Sequence, residues 1–234
     1  MEFFEHEVVE DLGFQNLKII RDTRGFTYGT DAVLLANFVR SKSNEMFLDL
    51  GAGTGILSIL INAKIGACFD AVELDESMCD MARRSVELNG QQAAIRINHA
   101  DLRTLAAKPG FENFDAAVSN PPYFAGGTKS ADLQRRMSTH QEECTVYDVA
   151  ACANRLIKNG GRLFMVYPAS LFAQACHALG ENRFAVKRAQ LVFTKRGTPP
   201  HVVLLQAKKG GRAGMVWETP LLLNDMGDAQ PMTL

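Results

Sequence analysis

Several features are missing from this sequence, and each absence excludes a class. The best apolar run, Ile56 to Ile61, is six residues long and contains a serine, against the roughly 18 that a membrane helix needs. The start, Met1-Glu2-Phe3-Phe4-Glu5-His6-Glu7, is acidic and has no positive region of the secretory kind. The expectation is a soluble, cytoplasmic protein with no membrane partner. Five cysteines (68, 79, 144, 152, 176) is an odd number with no C-x-x-C pair, which reads as reduced, mostly buried thiols. The histidines show no H-x-x-x-H spacing, so a metal site has nothing to build on. The serine-hydrolase elbow G-x-S-x-G is absent, and so is the Gly-Lys-Ser/Thr of a Walker loop.

What is there looks globular. The chain has 234 residues, 47% apolar and 22% charged, which suits one α/β domain. Its net charge of −1 conceals an asymmetry. Residues 183–212 hold Arg183, Lys187, Arg188, Lys195, Arg196, Lys208, Lys209 and Arg212 with no Asp or Glu, so the block is +8 and the remainder −9. Such a block suits a polyanion, or is simply a solvated face on late strands.

Short apolar runs alternate with helical patterns. Strands are expected at Met46–Leu50, Phe69–Leu74, Ala94–Asn98, Phe114–Ser119 and Arg162–Tyr167. Helices are expected at Ile56–Lys64, Glu76–Leu88 and Tyr147–Ile157, the last stopped by Asn159-Gly160-Gly161. This rhythm implies βαβ units and a mostly parallel, doubly wound sheet. Phe184–Phe193 and His201–Ala207 lack a helix between them and read as an antiparallel hairpin at one sheet edge. Residues 125–145 are polar and read as a mobile loop, and the last dozen residues are weakly patterned.

Two segments carry chemistry. Asp49-Leu50-Gly51-Ala52-Gly53-Thr54-Gly55 follows a strand and opens a helix. Its alternate glycines let the backbone turn sharply and approach a ligand, and the next helix offers N–H groups and a positive dipole end. Ile56 stands where a dinucleotide fingerprint needs its third glycine, which disfavours NAD. Glu73, 22 residues after Gly51, ends the next strand, where a carboxylate can accept both ribose hydroxyls. Asp101, after the third strand, could accept from an adenine amino group or merely cap a loop. Asp75 reads as a helix N-cap.

The second segment is Asn120-Pro121-Pro122-Tyr123, after the fourth strand. A conjugated amino group is a poor nucleophile because its lone pair is delocalised. A site must accept hydrogen bonds from both N–H groups and favour the pyramidal geometry. The Asn120 side-chain oxygen and the Pro121 carbonyl are the two acceptors, held by consecutive prolines. Tyr123 offers a stacking face for a flipped-out base. Taken alone, the tetrapeptide could be a rigid proline turn.

The glycine loop with Ala71-Val72-Glu73-Leu74-Asp75 resembles the first two motifs of class I S-adenosylmethionine-dependent methyltransferases. Asn120–Tyr123 resembles the N-P-P-Y motif of those that act on adenine N6 or glutamine N5. Thr27–Ala36, Tyr123-Phe124 and Pro199–Leu205 are similar to bacterial valine-tRNA adenine-37 N6-methyltransferases. The resemblance implies a Rossmann-like seven-stranded sheet, the last strand antiparallel, as a single domain over 1–234. Residues 1–45 would be an extension contributing to the site, 46–210 the core and 211–234 a tail. It implies S-adenosyl-L-methionine as cofactor, held by Gly29, Thr30, Asp31, Asp49, Gly51, Gly53, Gly55, Glu73, Asp101 and Asn120, though a helix N-cap explains Asp31 equally. Asn120, Pro121, Pro122 and Tyr123 would be catalytic. Tyr123, Phe124, Lys195 and Arg196 would hold the substrate, a tRNA. The sulfonium methyl is already activated, so in-line displacement needs no metal. Ser138–Glu142 resembles a family segment with a carboxylate after the histidine, where this chain has Gln141 after His140. The competing acceptors are a protein glutamine N5 and a guanine N2; a non-catalytic cofactor-binding module is the distant alternative. The oligomeric state is not legible.

Overall fold

The computed structural model describes residues 4–24, 29–105, 114–121 and 144–225. Five parallel strands make the frame: β3 (Met46–Leu50), β4 (Cys68–Glu73), β5 (Ile95–His99), β6 (Phe114–Ser119) and β7 (Ile157–Pro168). Their spatial order is β7-β6-β3-β4-β5, so the chain reverses direction across the sheet between β3 and β6. Open α/β sheets bind ligands at such a switch point, outside the carboxyl ends of the strands.

Strand periodicity sorts the core into two faces. Phe47 packs with α1 (Thr30–Phe38), α2 (Ile56–Ile65) and α3 (Glu76–Leu88), while Leu48 and Leu50 pack with α4 (Val146–Leu156) and α5 (Phe172–Glu181). In α3 the apolar Cys79, Ala82 and Val86 recur at helical spacing and are buried. Asp75 caps this helix as expected, accepting from the Ser77 and Met78 amides at 2.8 and 3.2 Å. In α4, Thr145 and Asp148 form a reciprocal capping box.

The hairpin is present as β8 (Phe184–Phe193) and β9 (Val202–Lys209). Its second strand inserts between β7 and β8 and runs antiparallel to both. Two further strands of two residues each, β10 (Val216–Trp217) and β11 (Leu221–Leu222), pair in parallel with the outer side of β8, so the sheet has nine strands among the described residues where seven were expected. Part of the weakly patterned 211–234 segment is therefore built into the sheet.

Besides β10 and β11, a hairpin and two helices go beyond the sequence expectations. The hairpin of β1 (Glu7–Asp11) and β2 (Lys18–Asp22) has few apolar residues. It is fixed by the buried Ile19 and Ile20 and by α3, where the Ser85 hydroxyl oxygen accepts from the Ile20 amide at 2.9 Å and Asn89 accepts from and donates to the Lys18 backbone. Helices α1 and α5 are the other two. One expectation is corrected. The helix ends at Leu156 and β7 begins at once, so Asn159-Gly160-Gly161 is not a helix stop but part of a strand. Pairing with β6 jumps from Phe114–Ile157 to Ala116–Arg162, and Gly160 takes φ +79° in the bulge. A Cβ on Gly161 would lie 2.8 Å from the Asp115 carbonyl oxygen, so only glycine fits at this crossing. The expected loop at 125–145 falls, up to residue 143, outside the described residues.

Candidate active site

The glycine loop leaves β3 at the switch point. Gly51 and Gly53 have φ of +76° and +56°, and a Cβ on either would meet no atom within 4 Å, so both face open space. Their amides do not. The Gly51 and Ala52 N–H groups donate to the Val72 carbonyl at 3.0 Å, and the Gly55 N–H donates to the Ala52 carbonyl at 2.9 Å. The Gly53 N–H donates to the Glu73 carboxylate at 2.8 Å. The loop is thus a shaped floor in which the amides of Gly51, Ala52, Gly53 and Gly55 are engaged within the protein.

Carboxylates surround this floor. Glu73 accepts from Gly53 on one oxygen and from the Leu74 and Asp75 amides on the other, at 2.7 and 2.9 Å, leaving further lone pairs for a ligand. Asp49 is wholly buried on the α2 side of β3. Its Oδ2 accepts from the Ser58 hydroxyl at 2.7 Å, while its Oδ1 has no hydrogen-bond partner among the described residues. Burial, with the nearby Glu73 charge, raises its carboxyl to about 7. Asp101 follows β5 beside Glu73, since the Ala100 amide donates to the Glu73 carbonyl at 2.9 Å. The Arg103 guanidinium grips Asp101 at 2.7 Å and holds its carboxyl below the usual range. An adenine amino group would share that carboxylate with Arg103.

Asn120 arrives from the neighbouring strand. The buried Ser119 hydroxyl donates to the Leu50 carbonyl at 2.8 Å and so fastens the end of β6 to the end of β3. One cavity is lined by Gly51, Gly53, Leu57 of α2, Met78 of α3, Asn120 and Ala32 of α1. Pro121 is buried behind it. Pro122, Tyr123, Phe124 and His140 lie outside the described residues. Helix α1, within residues 1–45, brings Ala32 into the lining of this cavity. Gly29 is the N-cap of this helix and Thr30 its first residue. Asp31 lies in the first turn, so the N-cap reading of Asp31 is corrected.

Sequence reasoning missed Ala32, Leu57 and Met78, because nothing local marks an apolar helical residue as lining. It also missed Lys64, whose ammonium donates to the carbonyls of Ala36, Asn37 and Val39 at 3.1, 2.7 and 3.3 Å. These bonds close the carboxyl end of α1 onto α2.

The basic block is divided by the hairpin. Lys195 and Arg196 are exposed in the β8–β9 turn, at the same carboxyl edge as Asn120. Lys208 and Lys209 end β9 at the opposite edge, opposite Arg162 and Phe184. Lys209 donates to the carbonyls of Asn154 and Ile157 at the end of α4, and Arg188 is bound to Glu218 at 2.6 Å over the Phe38 ring. These two cations support the fold.

A floor rimmed by carboxylates, with the Gly51, Ala52 and Gly53 amides already engaged, suits a ligand that carries hydroxyls and an ammonium. S-adenosylmethionine has a ribose diol and an α-ammonium, so these residues fit it. The model of the family described as methyltransferase small domain matches residues 23–192. The chain belongs to that family. A tRNA1(Val) (adenine(37)-N6)-methyltransferase from Tolumonas auensis is 30% identical over 82% of this chain and 80% of its own length. One of the same description from Dickeya chrysanthemi is 30% identical over 86% and 79%. Among solved structures, a predicted O-methyltransferase from Agrobacterium tumefaciens superposes with a TM-score of 0.65 at 26% identity, covering 82% of this chain and 86% of that one. As a member of the methyltransferase small domain family the chain is an enzyme, and S-adenosylmethionine is its cofactor. No helix among the described residues is long and apolar enough to cross a membrane.

Proposed function

We propose that this chain is a cytoplasmic enzyme that transfers a methyl group to the exocyclic N6 of an adenine in tRNA, adenine 37 of a valine tRNA by likeness to its relatives. The observation that carries the reading is the placement of Asn120 and Pro121. They stand at the carboxyl end of β6, beside the Gly51–Gly53 floor, with Asn120 on the same cavity. Bound S-adenosylmethionine supplies an activated methyl on a sulfonium sulfur.

The chain's own residues do the rest. Gly51, Gly53 and Gly55 shape the cofactor floor, Glu73 accepts from the ribose hydroxyls, and Asp49 and Asp101 are the further acceptors around it. Gly29, Thr30 and Asp31 border the site from α1. The Asn120 oxygen and the Pro121 carbonyl accept from the two N–H groups of the adenine amine, which directs its lone pair outward. Pro122 stiffens this backbone, and Tyr123 and Phe124 give the base its stacking faces. Lys195 and Arg196 meet phosphates at the same edge. The methylated nitrogen is acidic enough to release its proton to water.

The test is incubation with labelled S-adenosylmethionine and total RNA from a strain lacking the protein, followed by nucleoside analysis. N6-methyladenosine in the tRNA fraction is expected. Label in N2-methylguanosine, or in protein glutamine, would overturn the reading.

A further inference from the structure

We propose that the outer edge of the sheet, where residues 211–224 lie along β8, is a binding track for the backbone and bases of the tRNA, remote from the methylated adenine. This rests on the tRNA reading above and extends it to a second surface.

The strip climbs from the amino edge to the catalytic edge. At its foot Gly211 lies against Ala185, and the Gly210 amide donates to the Arg183 carbonyl at 2.7 Å, so Arg183 and Arg212 both belong to this end of the strip. Lys187 then donates to the carbonyls of Arg212 and Gly214. Val216 and Trp217 pair with Arg188 and Ala189, and Leu221 and Leu222 with Val192 and Phe193. At the top the Asn224 amide donates to the Thr194 carbonyl at 3.2 Å, adjoining Lys195 and Arg196. The strand from Ala185 to Phe193 spans about 27 Å.

This edge presents cations at both ends and an uncovered aromatic between them. Arg183 and Arg212 are exposed, and residues 182–217 contain no Asp or Glu. Glu218, the next acid, is held by Arg188 and by Arg40 at 3.2 Å. Trp217 is 50% exposed and Val216 64%. Phe172 lies 5.4 Å from the indole and braces it. Lysines and arginines on an open edge would by themselves be explained as protection against strand pairing. An exposed tryptophan on the outermost strand works against such protection. A ligand that has both negative charge and flat faces accounts for the two features together, and nucleic acid is that ligand.

The experiment measures the affinity of the full chain for an unmodified valine-tRNA transcript across a salt series, with Trp217→Ala and with Arg183→Ala/Arg212→Ala. Each should weaken tRNA binding by about tenfold. The double variant should also lower the log–log salt slope by about 0.7 for each phosphate that an arginine no longer neutralises. S-adenosylmethionine affinity, unchanged in both, shows that the fold is intact. Wild-type affinity and slope in both variants would overturn the proposal. So would concentration-dependent self-association that Trp217→Ala abolishes without change in tRNA affinity, since the edge would then serve a second copy of the chain. If the wild-type chain binds the transcript through this edge yet methylates no adenine in it, the surface stands and the proposed acceptor fails.

Discussion

The glycine loop and the basic block are both contiguous in sequence, and folding treats them oppositely. Residues 49–55 remain one object, a turn at the end of β3 whose amides bind Val72, Ala52 and Glu73 within a single switch point. Residues 183–212 are separated by their own hairpin, which sends Lys195 and Arg196 to the carboxyl edge of the sheet, where Asn120 stands, and Lys208 and Lys209 to the far one. A motif shorter than a turn keeps its neighbours when the chain folds. A charge block longer than a strand does not, because an antiparallel return carries its ends apart.

The sharpest way to break this picture of a self-contained loop is through Asp49. Its folded-state pKa is raised from 3.8 to about 7, so the folded protein holds a proton that the unfolded chain releases. The stability linked to that proton is complete below about pH 4 and is lost as the pH rises through 7. Asp49→Asn removes the loss. Denaturant melts of the ligand-free protein should show the variant gaining on wild type between about pH 4 and 7, by as much as about 4 kcal/mol. A constant difference across that range would mean that Asp49 is charged throughout.

Next is Asn120, which the loop and β6 share. Asn120→Ala should cost on the order of 10²–10³ in turnover at saturating cofactor, as for the loss of one preorganised polar group. Cofactor affinity, read by calorimetry, should hold. Asn120→Asp keeps an acceptor and should retain part of the activity. Wild-type turnover in Asn120→Ala would place the chemistry elsewhere.

Glu73→Ala should weaken S-adenosylmethionine binding by about 1.5–3 kcal/mol, the range for hydrogen bonds to a charged group. Because Glu73 also fixes the Gly53 amide, Glu73→Gln should recover only part of the loss. Equal affinity in wild type and Glu73→Ala would detach the ribose from this strand end.

The smallest effects test the divided block. Lys195→Ala/Arg196→Ala should flatten the salt dependence of tRNA binding, by about 0.7 of log–log slope per single-stranded phosphate released. Lys209→Met should leave that slope alone and cost about 1 kcal/mol of stability, the worth of a cation at a helix carboxyl end. If Lys209→Met changed the slope as much as the turn variant, the two edges would not be distinct.

Much of the fold follows from local pattern. Strands β3 and β6 and helix α3 match their expected spans residue for residue, since the strands are continuous runs buried on both faces, the helix buries one periodic face, and each ends at glycine or asparagine. Asp75 as an N-cap needs only its own helix. The β1–β2 hairpin is not legible in the sequence because its strands are half charged, and what holds it is the burial of Ile19 and Ile20 together with the Arg84–Glu7 ion pair and Asn89, far along the chain. The stretch 159–161 misleads for a related reason. Glycines before a strand resemble a helix stop, whereas here they are demanded by Asp115 on the neighbouring strand.

The site divides in the same way. The sequence by itself marked three candidate groups, each within its own segment: the glycine loop after β3, the carboxylate at the end of β4 and the amide after β6. Their chemistry depends on residue type and on position at a strand end, both written locally. Only the tertiary structure decided that the Gly51, Ala52 and Gly53 amides are engaged, that Arg103 holds Asp101, that α1 brings Ala32 to the lining, and which cations of the block lie at the edge where Asn120 stands. Those outcomes depend on pairing between strands and helices distant in sequence, where a hydrogen bond or an ion pair forms only if the whole sheet brings its partners within about 3 Å.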